Sequence, residues 1–477
     1  MSKQKTTKPF PKPISLKKLI GPSFIILALG LGSGEVILWP YMAANYGMGI
    51  AWGALLGITF QYFMNMEIER YALVKGESVF VGIHKIFKPA VYWFIFSTFI
   101  GFGLPGIIAA SAKVFSVVIG VENFKWIAIV FLLLIGIILS VGKTVYGMME
   151  RITKTIILVG VPFVFILAII ISTKADWSAL FSGMIGRGDG FWFLPSGISI
   201  ATFLAAFAYS GAGGNLNLTQ SIYIKEKGYG MGAYSQKISG LFAKKDHVEI
   251  KLEGEDCEIN DENITYFKKW WKLINLEHLF VFWFLGALSM MILMILSYAT
   301  THGLASNSEG INFVISEGLV IGQTLFSFAG TLFLIVVAIM LFQTQLGVMD
   351  STSRIMAENY AIKKLDKKKQ DNTHSTSVSG DKINLSKIYF AFVWAQITFG
   401  IILFLFNIYE PKTLIILGAV INAFAMFVHI GLVFWLNHTV LPKVFRPGWA
   451  RKIIMTVIFL FFGFFSTLVL LDKIGLL

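Results

Sequence analysis

The chain has 477 residues, 56% of them hydrophobic and only 14% charged, with a formal net charge of +13. A soluble domain carries about 45–50% apolar and about 25% charged residues, so this balance excludes one and points to an integral membrane protein. The basic excess does not mark a nucleic-acid binder, because 34 of the 40 Lys and Arg fall in alternate loops, as the orientation rule for membrane chains requires.

In chain order, residues 1–18 form a basic segment with no cleavable leader, expected to lie in the cytoplasm. Residues 19–477 are expected to form one membrane domain with eleven spans, near 20–45, 50–74, 91–119, 124–142, 153–173, 198–223, 278–300, 318–350, 387–408, 412–438 and 452–472. The charge asymmetry puts the N-terminus inside the cell and the C-terminus outside, in the plasma membrane.

The first span contains Gly32-Ser33-Gly34-Glu35, with Pro40 five residues later. Glycine and proline weaken the helical ladder, and freed backbone groups inside a bilayer must find partners in protein, water or substrate. A carboxylate at that depth costs roughly 2.5–3.5 kcal/mol on insertion scales, which marks a substrate or ion site rather than a simple kink. The sixth span repeats the pattern, with Tyr209-Ser210-Gly211-Ala212-Gly213-Gly214-Asn215 at its centre and Asn217 and Gln220 beyond. Small residues alone would suit tight helix contacts, but the adjacent amides call for another explanation. Two interruptions five spans apart suggest inverted repeats of five, with broken helices 1 and 6 forming a central site.

Two cytoplasmic excursions are expected, at 225–276 and 355–386. In the first, Val248, Ile250 and Leu252 alternate before a turn at Gly254-Glu255-Asp256 and then Cys257 and Ile259, which suggests a small hairpin. Asp261 is placed to cap a helix carrying Phe267, Trp270 and Trp271 along the membrane interface. In the second, Lys363 to Lys382 reads as a flexible linker on an anionic membrane face.

Other ionisable and polar residues are candidates for a proton pathway or gate. Glu67 and Arg70 are spaced as a helical ion pair, and Asp350 and Arg354 form an i, i+4 pair. His429 is either a packed histidine or a proton carrier, and Asn422 precedes it by seven residues. The single cysteine, Cys257, excludes an intramolecular disulfide and a cysteine metal cluster. No HExxH, no Gly-x-Ser-x-Gly and no paired intramembrane aspartates occur, so an intramembrane enzyme is a remote alternative, as is a transporter-like sensor.

Gly21-Pro22-Ser23-Phe24, then Asn45-Tyr46-Gly47 and Ala51-Trp52, with Tyr146, Glu150 and Gln343 further on, resemble the NRAMP family of proton-coupled divalent-metal transporters. The resemblance covers roughly 18–225 and 275–438 as order, spacing and scattered residues. It implies an all-α leucine-transporter-type fold of the amino acid–polyamine–organocation superfamily, ten core helices in two inverted halves plus one more. The binding motifs depart from the family. Its Asp-Pro-Gly-Asn falls at Gly32 to Glu35 and its Met-Pro-His-Asn at Ala212 to Asn215, so only Asn215 is kept, and a later histidine falls near Thr219.

Carboxylate, carbonyl and water ligands suit Mg, Ca or Mn rather than softer ions. Glu35 and Asn215 are therefore the candidate metal ligands, with Gln343 and backbone carbonyls, for a hard cation such as Mg or Mn moved by alternating access. Gly-Ser-Gly equally resembles the break with which amino-acid transporters of the wider superfamily hold a substrate carboxylate. A small organic solute stands as the alternative cargo. A proton is the candidate coupling ion, no cofactor is expected, and the expected partners are the bilayer and a small ion or molecule.

Overall fold

The computed structural model describes residues 7–14, 19, 22–30, 32–141, 145–236, 251–304, 307, 310–371 and 384–476, with side chains omitted for 145–157 and 368–371. It is a helical assembly in which each of the eleven expected spans has a helical counterpart. Among the described residues, eight helices are long and apolar enough to cross a membrane, or nine if the pair Leu158–Ile171 and Lys174–Gly183, bent by 116°, is one span. A count of eleven crossings is thus not established by length and apolarity. The shortfall has a physical cause: the second segment, Ala51–Lys75, buries Glu67, Glu69 and Arg70, and the sixth is split into two short helices. With its apolar helices and its fold, the chain is a multi-pass membrane protein.

The first segment comprises Pro22–Gly30, Gly32 outside any helix, a π-turn over Ser33–Leu38 and a helix over Trp39–Tyr46. Its interruption is shorter than its glycines suggest, since Glu35 itself sits in helical backbone. The sixth comprises Ile200–Ala208, irregular chain, a 3₁₀ turn over Gly214–Leu218 and a helix over Thr219–Lys227. Gly211, Gly213 and Gly214 adopt φ of 157°, 72° and 51°, open to glycine and strained for other residues. The third bends at Pro105, between Ala90–Gly103 and Gly106–Ile119. Position in the bundle follows apolarity. The first segment is buried along nearly its whole length, whereas the fourth, Phe124–Val141, and the last, Trp449–Lys473, expose Val130, Ile137, Val457 and Leu460 on their outer faces. Such faces suit hydrocarbon rather than water.

The excursions differ from expectation. Asp256–Cys257 pairs in parallel with Thr7–Lys8 near the N-terminus, and Val248 and Ile250 of the expected hairpin lie outside the described residues. The helix that follows is capped by Asn260, whose side chain accepts from the Asn263 amide at 2.8 Å, so Asp261 is its first residue and not its cap. That helix does not lie apart along the interface. It continues through a π-turn at Leu279–Phe284 into Leu285–Thr301. Phe267 packs on Phe10 and Phe445, and the Trp270 indole donates to the Pro11 carbonyl at 2.9 Å, so its aromatic side is spent on protein. In the eighth segment Asn312–Thr324 is a separate helix, and Ser327–Asp371 is one helix of 45 residues. The first part of the expected linker, Lys363 to Asp371, is therefore helical, and 372–383 lies outside the described residues.

The two interrupted segments cross with backbone touching backbone. A Cβ placed on Gly30 would sit 2.8 Å from Gly211, and one on Gly34 would sit 1.6 Å from the Tyr209 carbonyl oxygen. Gly57 of the second segment leaves room for Ser210 in the same way. Gly34→Ala should therefore lower stability by about 1–3 kcal/mol or more, read as a drop in thermal unfolding temperature in detergent against a Gly448→Ala control in open space with ordinary backbone angles. Outside the bundle, burial and the adjacent Glu258 push the Cys257 thiol up to about 11. Its maleimide labelling should be slow near neutral pH and rise about tenfold per pH unit up to that value; a plateau near pH 8.5 would show an ordinary thiol.

Candidate functional site

Around the crossing, side chains replace the hydrogen bonds that the broken helices lose. The Gln61 amide donates to the Ala208 carbonyl at 2.9 Å, and its oxygen accepts from the Gly213 amide at 3.2 Å, spanning the gap in the sixth segment. The Trp39 indole donates to Ser210 Oγ at 2.9 Å. The Thr344 side chain occupies the space that a Cβ on Gly32 would need, and Gln343 is buried beside it in the chain. Ala212 and Ser33 are also buried at the crossing.

Glu35 is fully buried. Ser289 Oγ donates to its Oε2 at 2.8 Å, a Cβ on Gly286 would lie 3.7 Å from Oε1, and Oε1 has no hydrogen-bond partner among the described residues. A carboxylate so placed is costly unless a proton or a cation neutralises it. Asn215 lies toward the third segment, its amide donating to Ser97 Oγ at 2.8 Å and Thr98 Oγ1 at 2.9 Å. Asn422 donates to the Gly101 carbonyl and the Tyr209 hydroxyl, both at 2.9 Å. The side-chain oxygens of Asn215 and Asn422 are left without donors among the described residues. The crossing is thus lined by oxygen acceptors. Among the described residues no group of three or more His, Cys, Asp or Glu is arranged to hold a metal ion, so any cation there would rely on Glu35 and neutral oxygens.

Glu35 faces Ser289 and Gly286 of the seventh segment, and Asn215 faces the third; no hydrogen bond joins them. The gate candidates sit further out. Glu67 is held by Arg70 at 2.8 Å, by Arg451 at 3.3 Å and by the Asn437 amide at 3.3 Å, a knot tying the second, tenth and last segments. Arg354 bonds both Asp350 oxygens, at 3.0 and 2.9 Å, and Tyr389 donates to Asp350 at 2.7 Å. Tyr223 and Ser351, 2.8 Å apart, join the sixth segment to the same region. Thr219 bonds back to the Leu216 carbonyl and opens its helix. His429 is buried with neither ring nitrogen bonded among the described residues. Tyr146 and Glu150 lie where side chains are not described.

Sequence reasoning did not single out Gln61, Trp39, Ser97, Thr98, Ser289 or Gly286. One signal was available for Gln61: with Asn65 it makes an i, i+4 polar pair on an otherwise apolar face.

No protein-family model and no curated protein matches the chain. Among solved structures, a single-site mutant of the Eremococcus coleocola manganese transporter aligns with a TM-score of 0.68 at 12% identity, covering 99% of this chain and 90% of that one. The same transporter in complex with an aromatic bis-isothiourea substituted compound gives 0.62 at 12% identity, with 100% and 97% covered. Mhp1, a nucleobase-cation-symport-1 family transporter in a closed conformation with bromovinylhydantoin bound, gives 0.51 at 13% identity, with 97% and 94% covered. At such identities the likeness is one of fold, and the chain has the leucine-transporter-type fold of these proteins.

Gln61→Leu should leave the Ala208 carbonyl and the Gly213 amide unpaired in the bundle. At about 1–3 kcal/mol for each orphaned group, the variant should lose stability by several degrees or more in thermal unfolding, and unchanged unfolding would remove Gln61 as the bridge.

Proposed function

We propose that this chain is a secondary transporter that moves a small, hard, oxygen-preferring divalent cation such as Mg or Mn by alternating access, with a proton as coupling ion. The observation that carries the reading is Glu35, a carboxylate fully buried at the crossing of two broken helices with one oxygen unmet among the described residues. Broken half-helices offer free carbonyls to cations, and an oxygen-only lining suits hard ions. The fold shared with a manganese transporter supports the same cargo class, as does the NRAMP-like spacing of the chain. Glu35 and Asn215 act as ligands from opposite sides of the crossing, with Gln343, Tyr209 and the backbone of Gly32 to Gly34 and Ser210 to Gly214 completing the site. Asn422, His429 and Thr219 line the proton route, and Glu67, Asp350 and Arg354 form the gate at the cytoplasmic ends.

A second reading, a small organic solute, is favoured by the Gly32-Ser33-Gly34 break of the first segment and by the shared fold of Mhp1, a nucleobase-cation symporter. In either case the N-terminus is cytoplasmic and the C-terminus is outside, and the side from which an impermeant thiol reagent reaches Cys257 reports that orientation.

Purified protein in liposomes, offered Mn, Mg and Ca ions and a panel of amino acids with proton flux read in parallel, separates the readings. Saturable metal uptake is expected, with Glu35→Gln weakening apparent affinity about tenfold or more, the equivalent of about 1.4 kcal/mol for a lost charged ligand. Metal uptake that survives Glu35→Ala removes Glu35 as ligand. Amino-acid binding without any metal response overturns the cation reading.

A further inference from the structure

A second buried polar centre lies away from the crossing, where the first, second, sixth and seventh segments converge. Ser23 stands at the start of the first half-helix, nine residues before Gly32, and Glu69 stands eight residues beyond Gln61 on the second segment. At about 1.5 Å per residue, Ser23 lies roughly 10 Å along its helix from Gly30 at the crossing, and Glu69 roughly 12 Å from Gln61. The Ser23 hydroxyl donates to Glu277 Oε2, and Ser23 Oγ lies 2.9 Å from His278 Nδ1. The same Nδ1 is 3.3 Å from Glu69 Oε1, and the Gln220 amide donates to that oxygen at 2.6 Å. Ser23 and His278 are 0% exposed, Glu69 1% and Glu277 6%.

We propose that Glu69, Glu277 and His278 form a proton-binding latch that fastens the first half-helix, Pro22–Gly30, to the second, sixth and seventh segments through Ser23.

The geometry restricts what each group does. The His278 ring is stacked between Phe282 and Tyr62, with centroids 4.6 and 5.7 Å away, so it cannot swing out of the cluster. Its Nε2 has no partner among the described residues, and its Nδ1 faces two oxygens, so a neutral ring carries its proton on Nδ1 and donates to Ser23 and Glu69. The neighbouring charges are placed differently. Arg70 lies against Glu67 at 2.8 Å, Arg451 spans Glu67 at 3.3 Å and Asn275 at 2.6 Å, and Tyr62 donates to Asn275. Glu69 takes its short contacts from the Gln220 amide and the imidazole, with Arg451 and Glu277 close enough to act on it electrostatically.

Glu69 and Glu277 thus meet across one Ser23–His278 pair, and two carboxylates in a water-excluded place repel when both ionise. A proton taken from the adjoining solution and held within the cluster removes that repulsion and keeps Ser23 bonded. Its return to solution drives Glu277 and Glu69 apart and frees the half-helix. No co-reactant is required.

The latch deepens the transporter reading by giving a coupled cycle a proton site outside the cargo site. It is tested without any cargo, so its failure and that of the uptake assay are distinguishable. Hydrogen exchange of the full chain in lipid nanodiscs is measured at about pH 5.5 and about pH 8.5, with correction for the intrinsic exchange rate at each pH. The amides of Ser23 to Gly30 should open roughly fivefold or more readily at the higher pH, while those of Trp449–Lys473 stay unchanged. Glu69→Gln should leave exchange slow at both pH values, and Ser23→Ala should make it fast at both. Equal protection of Pro22–Gly30 at the two pH values in the unmodified chain overturns the latch, and this comparison stands even if a variant does not fold. A full pH effect persisting in Glu69→Gln also overturns it.

Discussion

The structure depends on one steric constraint: two interrupted helices cross at backbone contact, Gly30 on Gly211 and Gly34 on the Tyr209 carbonyl. Side chains on either helix would hold them several ångströms apart. Without a hydrophobic drive between helices in lipid, close approach of small residues supplies the van der Waals contact that holds such a crossing. The approach also explains why these glycines occur together. Gly211, Gly213 and Gly214 supply backbone angles that other residues resist, and Gly30, Gly34 and Gly57 supply room.

Breaking two helices inside a bundle exposes peptide groups that must be paired. The second segment meets that demand through Gln61, and Trp39 and Asn422 add bonds to Ser210 and to the Tyr209 hydroxyl. What the polar shell leaves over is informative. Amides of Asn215 and Asn422 point their donors into the scaffold and keep their oxygens unmet among the described residues, while Glu35 is buried toward the seventh segment.

Buried charge is distributed by role along the second segment. Glu67 is surrounded by guanidinium groups and an amide, an arrangement that stiffens the packing of three helices. Two residues on, Glu69 turns to a different neighbourhood of imidazole, hydroxyl and a second carboxylate. Because side chains two apart on a helix face different sides, adjacent acids of one sequence run serve separate clusters.

Much of the architecture was legible in the amino-acid order. Apolar runs located the helical segments, and Gly32 to Glu35 and Ser210 to Asn215 located both interruptions, because hydropathy and backbone freedom are local properties. Legibility failed where a distant partner decides. The helix from Asp261 was expected along the interface, yet Phe10, Pro11 and Phe445 claim its aromatic residues and it runs on into the seventh segment. The strand at Asp256–Cys257 pairs with Thr7–Lys8, some 250 residues away, a partner no local pattern announces. Gln61, Ser289 and Ser23 carry no local mark, since each acquires its part only from a group on another helix. The sequence by itself determined a membrane protein with two broken helices and a carboxylate at one break. Only the tertiary structure decided which backbone touches which, and which buried polar groups share a cluster, because contacts between residues hundreds of positions apart leave no trace in the periodicity of either.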